Sequence, residues 1–377
     1  MDTKRIRSLG TGLLVAVWAG LTVLGWLLPD QQMSLAERRE LKQMPALELA
    51  AVESGKFMKD FESYTLDQFP GRDSFRRIKA LFAYQVLGQK DNNGIYLANG
   101  YAAQQEYPLK QDSLDYATKR FDHIYDKYLQ GTDCHTYMAI VPDKGYYLSQ
   151  SSGQLTMDYD AMFAHFRQTM PWAEHIDLTP TLTAESYYRT DTHWRQETLT
   201  DAATVIAQTM GGSGSQAGDF TPVAQENPFY GVYYGQAALP MEPDEMYLLE
   251  SEALDACVTY LGQWDASAGI VFQKAYDGVY DRDKLESRDP YEVYLSGSQS
   301  LVRIENPNAG TSRELVIFRD SFGSALAPLL VPDYAAVTLV DIRYLNSDML
   351  RWCLEFTDQD VLFLYSTLVL NNSTTLK

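Results

Sequence analysis

From Leu9 to Leu28 the chain is almost continuously apolar, broken only by small or tolerated residues such as Gly10, Thr11, Gly20 and Thr22. About 20 residues at about 1.5 Å rise cover the hydrocarbon core of a bilayer, so this stretch predicts a membrane-spanning helix. The pattern then turns polar over residues 30–55, around Glu37-Arg38-Arg39-Glu40, and reads as a juxtamembrane stalk. From residue 56 apolar positions return at helical spacing. Phe57, Phe61 and Tyr64 share one helix face, and Phe75, Ile78, Leu81 and Phe82 share a second. Gln68-Phe69-Pro70-Gly71-Arg72-Asp73 stops the first helix and starts the next. Asn93-Gly94 marks a turn before Ile95-Tyr96-Leu97.

Further along, residues 115–128 have a helical pattern and residues 137–142 read as a buried parallel strand. Helices are expected over 159–170 and 198–210, with Gly211-Gly212-Ser213-Gly214-Ser215 as a break after the second. Residues 217–300 are Tyr-rich and acidic, with a strand-like piece at 268–272. This region reads as an insertion or cap, about 212–300, within a domain spanning 56–377. Three apolar runs follow, at 315–318, 336–340 and 361–365, with helical spacing between them. Strands alternating with helices predict an α/β fold whose parallel sheet is covered on both faces.

Charge gives the chain an orientation. Lys4, Arg5 and Arg7 precede the apolar run, which places residues 1–8 in the cytoplasm, residues 9–29 across the membrane and the rest outside. A cleaved signal peptide would have a shorter apolar core, about 7–15 residues, and a small-x-small site after it. Here the run ends in Gly25-Trp26-Leu27-Leu28-Pro29-Asp30, so an uncleaved single-pass anchor in the cell membrane is expected. Residues 1–29 carry three basic groups and one acid, so of the net −19 the remainder carries −21. That surface suits solubility and argues against nucleic acid, which wants clustered Lys and Arg. Cys134, Cys257 and Cys353 are too few for a disulfide framework, and their odd number leaves at least one unpaired. Five scattered histidines without HxxH or CxxC predict no metal site, and no cofactor is expected.

Two short motifs carry the candidate chemistry. In Tyr187-Tyr188-Arg189-Thr190-Asp191-Thr192-His193-Trp194 a carboxylate precedes an imidazole by two residues. In Leu315-Val316-Ile317-Phe318-Arg319-Asp320-Ser321-Phe322-Gly323 a hydroxyl follows an apolar strand where a helix can begin. Together they supply a nucleophile, a base and an orienter, the minimum for acyl transfer through serine. Asp320-Ser321 alone would read as a helix N-cap. Sites in open parallel sheets, however, form beyond the carboxyl ends of strands, where Ser321 falls. Gly323 permits close backbone approach, and amides at the start of a helix through 325–330 can stabilise an oxyanion. A lone His among aromatics is ordinarily a core residue, but Asp191 is near enough to fix the His193 tautomer. Trp194 packs under this loop or stacks on a sugar. Arg189 and Arg319 read as salt-bridge residues ahead of substrate contacts. Gly323, Trp194, Arg319 and Tyr188 complete the set of substrate or oxyanion candidates.

These two runs resemble the bacterial DHHW proteins, which are similar in turn to the SGNH-hydrolase-like proteins that O-acetylate alginate and other exopolysaccharides. Asp67-Gln68-Phe69-Pro70-Gly71-Arg72-Asp73, Val141-Pro142-Asp143-Lys144 and Asp341-Ile342-Arg343-Tyr344 add to the likeness, which covers most of residues 60–372. The resemblance implies an SGNH-hydrolase-like three-layer α/β/α fold with Asp191 as orienter, His193 as base and Ser321 as nucleophile. The Asp-His pair precedes the serine, the reverse of the usual SGNH order and a permutation the acetylation proteins share. Thr192 replaces the first histidine of the name-giving motif, and Thr198-Leu199 stands where Gly-Ala is common. The glycine and asparagine that complete an SGNH oxyanion hole have no assigned match here; Gly297 in Tyr294-Leu295-Ser296-Gly297 is a guess for the glycine. The implied activity is membrane-anchored, extracytoplasmic acetyl transfer, or acetyl ester hydrolysis, on a cell-surface or secreted polysaccharide. A transferase would need an outside acyl donor, and the resemblance suggests a membrane-bound O-acyltransferase partner. The competing expectation is a non-catalytic glycan-binding or assembly protein that kept the fold, working through Tyr230, Tyr233, Tyr234 and Tyr247.

Overall fold

The computed structural model describes residues 3–34 and 36–377; residues 1, 2 and 35, in the stretches read as cytoplasmic N-terminus and stalk, lie outside the described residues. The chain forms two compact units. One comprises residues up to 93 together with 234–240, the other residues 94–233 together with 241–377.

The first unit holds α1 (Thr3–Leu27), α2 (Lys56–Asp67) and α3 (Arg72–Leu81). Within α1, Arg7–Leu27 is 21 residues long with mean hydropathy 1.7, long and apolar enough to cross a membrane, a test that a signal sequence also passes. Gly71, in the left-handed region at φ 71°, makes the break between α2 and α3. The polar stretch read as a stalk is tied to these helices by charge. Glu37 meets Arg72 at 2.5 Å and Arg76 at 3.1 Å, and Arg39 meets Asp67 at 2.6 Å. Residues 56–93, expected with the C-terminal domain, therefore pack with residues 30–55. An apolar pattern carries no sign of this, because ion pairs and polar hydrogen bonds, such as those of Gln68 to Gln31 and Lys42, make the connection.

The second unit is built on one eight-stranded sheet. Its strands are β1 (His135–Val141), β2 (Glu174–Ile176), β3 (Val258–Asp265), β4 (Gly269–Asp277), β5 (Leu301–Glu305), β6 (Glu314–Arg319), β7 (Ala336–Val340) and β8 (Asp360–Ser366). They lie in the order β4-β3-β5-β7-β6-β8-β1-β2. From β7 to β2 neighbours run parallel, whereas β5 is antiparallel to both β7 and β3, and β3–β4 is an antiparallel hairpin. Residues 258–277, within the stretch read as an insertion, thus extend the sheet. Their polar positions, such as Gln263, Asp265, Gln273 and Asp277, hide the strand pattern.

Alternation along the strands explains the layers. Leu315 and Ile317 of β6 point into one core, Val316 and Phe318 into the other. Successive strand side chains face opposite sides of a sheet, so a strand apolar at every position must be covered twice. One cover contains α7 (Thr200–Thr209) and α8 (Phe322–Leu330); Ala203, Ile206, Leu326 and Leu329 lie in the core with Leu315. The other contains α4 (Gln111–Ile124) and α6 (Tyr159–Thr169); Leu114, Phe121, Met162 and Phe166 lie with Val316. The result is a three-layer α/β/α domain. At its carboxyl edge the parallel strands finish together: Val141 pairs with Ser366, and Leu364 with Arg319. From this edge α5 (Lys144–Ser152) leaves after β1, and α8 after β6.

Phe363 tests the core under this edge. It is fully buried, with its ring centroid 4.8 Å from Phe318, 5.3 Å from Phe121 and 5.4 Å from Trp172. Phe363→Ala should cost about 3–5 kcal/mol through lost burial and the cavity left behind. Urea denaturation should report it as a lower midpoint at unchanged slope.

Candidate active site

The sharp turn between β6 and α8 presents Ser321. Asp320, fully buried, holds this turn from both sides: one carboxylate oxygen accepts from the Phe322 amide at 3.0 Å, the other from the Ser366 amide at 2.8 Å. The turn that presents Ser321 is thereby pinned to the end of β8. Ser321 itself stays partly exposed, with helical backbone at φ −63° and ψ −22°.

Opposite it stands the 187–194 loop, closed by a bridge between Tyr187 and Trp194. His193 Nδ1 lies 2.6 Å from Asp191 Oδ1, and His193 Nε2 lies 2.8 Å from Ser321 Oγ. A carboxylate at Nδ1 keeps the proton there, which leaves Nε2 to accept from the serine hydroxyl. The imidazole ring stacks on Tyr291 at 3.8 Å and 10°. Asp191 is completely buried, yet its charge is met: besides the ring it accepts from the His193 amide at 3.1 Å and the Val232 amide at 2.7 Å. Burial of a carboxylate is tolerable only with such partners.

The peptide groups of the loop are held as firmly as its side chains. Asp244 accepts from the Arg189 amide at 2.7 Å, the Thr190 amide at 2.8 Å and the Thr190 hydroxyl at 2.6 Å. On the carbonyl side Lys144 Nζ donates to Asp191 O at 2.6 Å and Tyr188 O at 2.7 Å. Neighbouring Asp143 caps α5 and accepts from Gly145, Tyr159 and Thr367; burial pushes its carboxyl above the usual range despite these bonds.

The structure brings Asp191, His193 and Ser321 together and places the remaining candidates elsewhere. Trp194 is buried beneath the loop, where its indole N–H donates to Phe322 O at 3.0 Å and ties the loop to the start of α8. Tyr188 is sealed against Phe229 at 4.8 Å. Arg319 is fully enclosed, 3.7 Å from Asp341 and within 3.4 Å of the Gly297 and Gln299 carbonyls. None of the three can touch a ligand from these positions. Gly323 serves packing: a Cβ there would lie 2.7 Å from Arg319 Cβ. The amides of Phe322, Gly323 and Ser324 already donate to Asp320 Oδ1, Asp320 O and Ser321 O, and the Gly297 amide to Tyr294 O. Among the amides at the start of α8, an oxyanion would fall to that of Ser321 itself.

Sequence reasoning missed Lys144, Asp244, Gly231 and Tyr291. Lys144 follows an apolar strand at Val141-Pro142-Asp143-Lys144, a signal that could have marked it. Asp244 and Tyr291 sit in the Tyr-rich acidic stretch, where nothing separates them from their neighbours. Among the described residues no cluster of three or more His, Cys, Asp or Glu could hold a metal ion.

The family described as DHHW protein matches residues 177–340, a span that includes both motifs. Similar solved structures include a DHHW family protein from Eubacterium siraeum, at 19% identity and TM-score 0.60 over 76% of this chain and 95% of that one. PatB1 from Bacillus cereus is similar at 18% identity and TM-score 0.58, covering 73% of this chain and 96% of that one. PatB1 carrying a sulfonyl adduct gives the same identity and score over 75% and 95%. At these identities the likeness is one of fold. No curated protein matches the sequence.

Gly231 tests how tightly the site is packed. A Cβ there would fall 2.2 Å from Asp191 Cβ and 2.5 Å from its amide nitrogen. Gly231→Ala must therefore push the loop away and weaken the Val232–Asp191 bond, at a cost of about 1–3 kcal/mol. Gly218→Ala, where a Cβ meets nothing within 4 Å, is the control and should be close to neutral in chemical denaturation.

Proposed function

We propose that this chain, similar to DHHW proteins, is a membrane-anchored, extracytoplasmic protein that transfers or removes acetyl groups on a cell-surface or secreted polysaccharide through an acyl-serine on Ser321. The observation that carries this reading is the hydrogen-bonded line from Ser321 through His193 to Asp191 at the strand ends. In the first half-reaction His193 Nε2 takes the proton of Ser321 Oγ as that oxygen bonds to the acetyl carbonyl carbon. The tetrahedral oxyanion is met by the Ser321 amide. When it collapses, the donor's oxygen leaves with the proton from Nε2, and the acetyl group stays on Ser321. In the second half-reaction a hydroxyl gives its proton to His193 and attacks the acyl-serine, and collapse returns that proton to Ser321 Oγ. Asp191 stays ionised and stabilises the imidazolium in both halves.

The acceptor decides the outcome. A sugar hydroxyl gives transfer and water gives hydrolysis, so exclusion of water separates the two. Transfer needs an acyl donor on the outer side of the membrane, and a membrane-bound O-acyltransferase is the partner proposed for it. In the alternative of a tyrosine-lined glycan-binding surface, Tyr230 is exposed and Tyr234 and Tyr247 partly so, whereas Tyr233 is buried and donates its hydroxyl to Thr192 at 3.0 Å.

With a chromogenic acetate ester, Ser321→Ala and His193→Ala should each lower kcat/KM by about 10³-fold or more, and the double variant should be little worse. Asp191→Asn should also be severe, because the amide favours the wrong imidazole tautomer. A sulfonyl fluoride should add one adduct, located on Ser321 by mass spectrometry. Full activity in Ser321→Ala would falsify the serine mechanism.

Topology is tested separately. Protease added outside intact cells should digest residues 30–377, and salt washing should leave the protein with the membrane. Recovery of a soluble mature form beginning near residue 30 would instead identify a cleaved signal.

A further inference from the structure

Lys144 is 2% exposed, and lysine is almost never buried so deeply without a paired charge. Among the described residues no carboxylate lies within ion-pair distance of it. Adjacent Asp143 spends its oxygens on Gly145, Tyr159 and Thr367. An ammonium has three protons to donate, and here three backbone carbonyls surround it. They are Asp191 O at 2.6 Å, Tyr188 O at 2.7 Å and Arg189 O at 3.4 Å. All three belong to the turn that carries Asp191 and, two residues on, His193. The Tyr233 ring closes the site 5.1 Å from Nζ, and its hydroxyl holds Thr192 in the same turn.

We propose that Lys144 is a positioning residue of the active site: its ammonium draws the carbonyls of Tyr188, Arg189 and Asp191 to one point and so sets Asp191 and His193 at the distances that face Ser321. Its bearing on turnover rests on the acyl-serine reading above, whereas its effect on loop geometry does not. Three carbonyl dipoles aimed at one another repel, so the turn keeps this shape only while a cation sits between them. Displacing His193 by about 1 Å from Ser321 is enough to cost about 10²-fold in rate.

The charge balance at this point offers a way to separate positioning from stability. Burial pushes the Lys144 ammonium down to about 7, against the opposing pull of Asp191, Asp244 and Asp143, the charged groups facing it. Between about pH 7 and the ordinary lysine value of 10.5, the unfolded chain holds a proton that the folded chain has released. Stability contributed by this group therefore rises with pH across that window. Positioning moves the other way, because the neutral amine has two protons left for three carbonyls.

The test uses the full chain and compares wild type with Lys144→Met and Lys144→Gln. The strongly downfield NMR resonance of the His193 Nδ1 proton reports loop geometry without turnover, and hydrolysis of a chromogenic acetate reports rate. Lys144→Met should lose the resonance and about 100-fold in kcat, with KM within about threefold. Lys144→Gln keeps two donors on a shorter stem and should recover about tenfold of that loss. Wild type should lose kcat and the resonance above about pH 7 with no loss of stability, and both variants should lack that alkaline limb. If Lys144→Met fails to fold, the limb in Lys144→Gln decides: its absence supports the proposal and its persistence overturns it. A folded Lys144→Met with wild-type resonance and kcat also overturns it. If Ser321→Ala stays active, the acyl-serine reading fails, and the resonance still decides whether Lys144 positions the loop.

Discussion

Between Lys144 and Asp244 the backbone of residues 188–191 is held by charge on both sides, carbonyls toward the cation and amides toward the anion. A peptide group is a dipole, so opposite charges at its two ends orient it as a field orients a magnet. Neither charge reaches bulk water: Lys144 is 2% exposed and Asp244 8%. In such a setting each bond is stronger than at a surface, and each lost partner is costlier. The geometry of His193 and Ser321 depends on this arrangement, because side chains can be no better placed than the backbone beneath them.

The fold was legible in the sequence where burial on both sheet faces makes strands wholly apolar. β6, β7 and β8 are such strands, and 315–318, 336–340 and 361–365 mark them closely. The hairpin β3–β4 was legible only in part. β4 lies at the sheet edge and β3 beside it, and residues 258–265 and 269–277 lack the continuous apolar run of the centre. β2, three residues long, is too short to leave any periodicity. At the N-terminal unit the link between residues 30–55 and 56–93 runs through ion pairs such as Glu37–Arg72 and hydrogen bonds such as those of Gln68 to Gln31 and Lys42, which have no period at all.

The candidate site shows the same division. Asp191, His193 and Ser321 stood out because their side chains are the wrong chemistry for a core and sit at a strand end or a tight turn. Their supports did not. Gly231 matters for the Cβ it lacks, and Asp244 for amides 54 or 55 residues away. Arg319 was legible only as a choice between two uses. A cation two residues before Ser321 reads as a salt-bridge residue ahead of a substrate contact, and it is folded inward against Asp341 and two carbonyls. Its desolvated guanidinium joins β6, β7 and the segment around Gly297, and nothing in the local sequence distinguishes that use from the other.

The contacts that complete the site span long distances along the chain: 41 residues from Asp191 to Val232, 47 from Lys144 to Asp191 and 128 from His193 to Ser321. Contacts of such separation form late, because chain entropy must be surrendered before they return anything. A nascent or partly folded chain therefore holds an ordinary serine, an ordinary histidine and a buried lysine not yet buried. Asp191, His193 and Ser321 come within hydrogen-bond distance only once β6, β8 and the segment through Val232 are all in place. The sheet thus acts as a timer on the candidate site: an unfinished molecule holds the three residues apart, and they meet only in the last steps of folding.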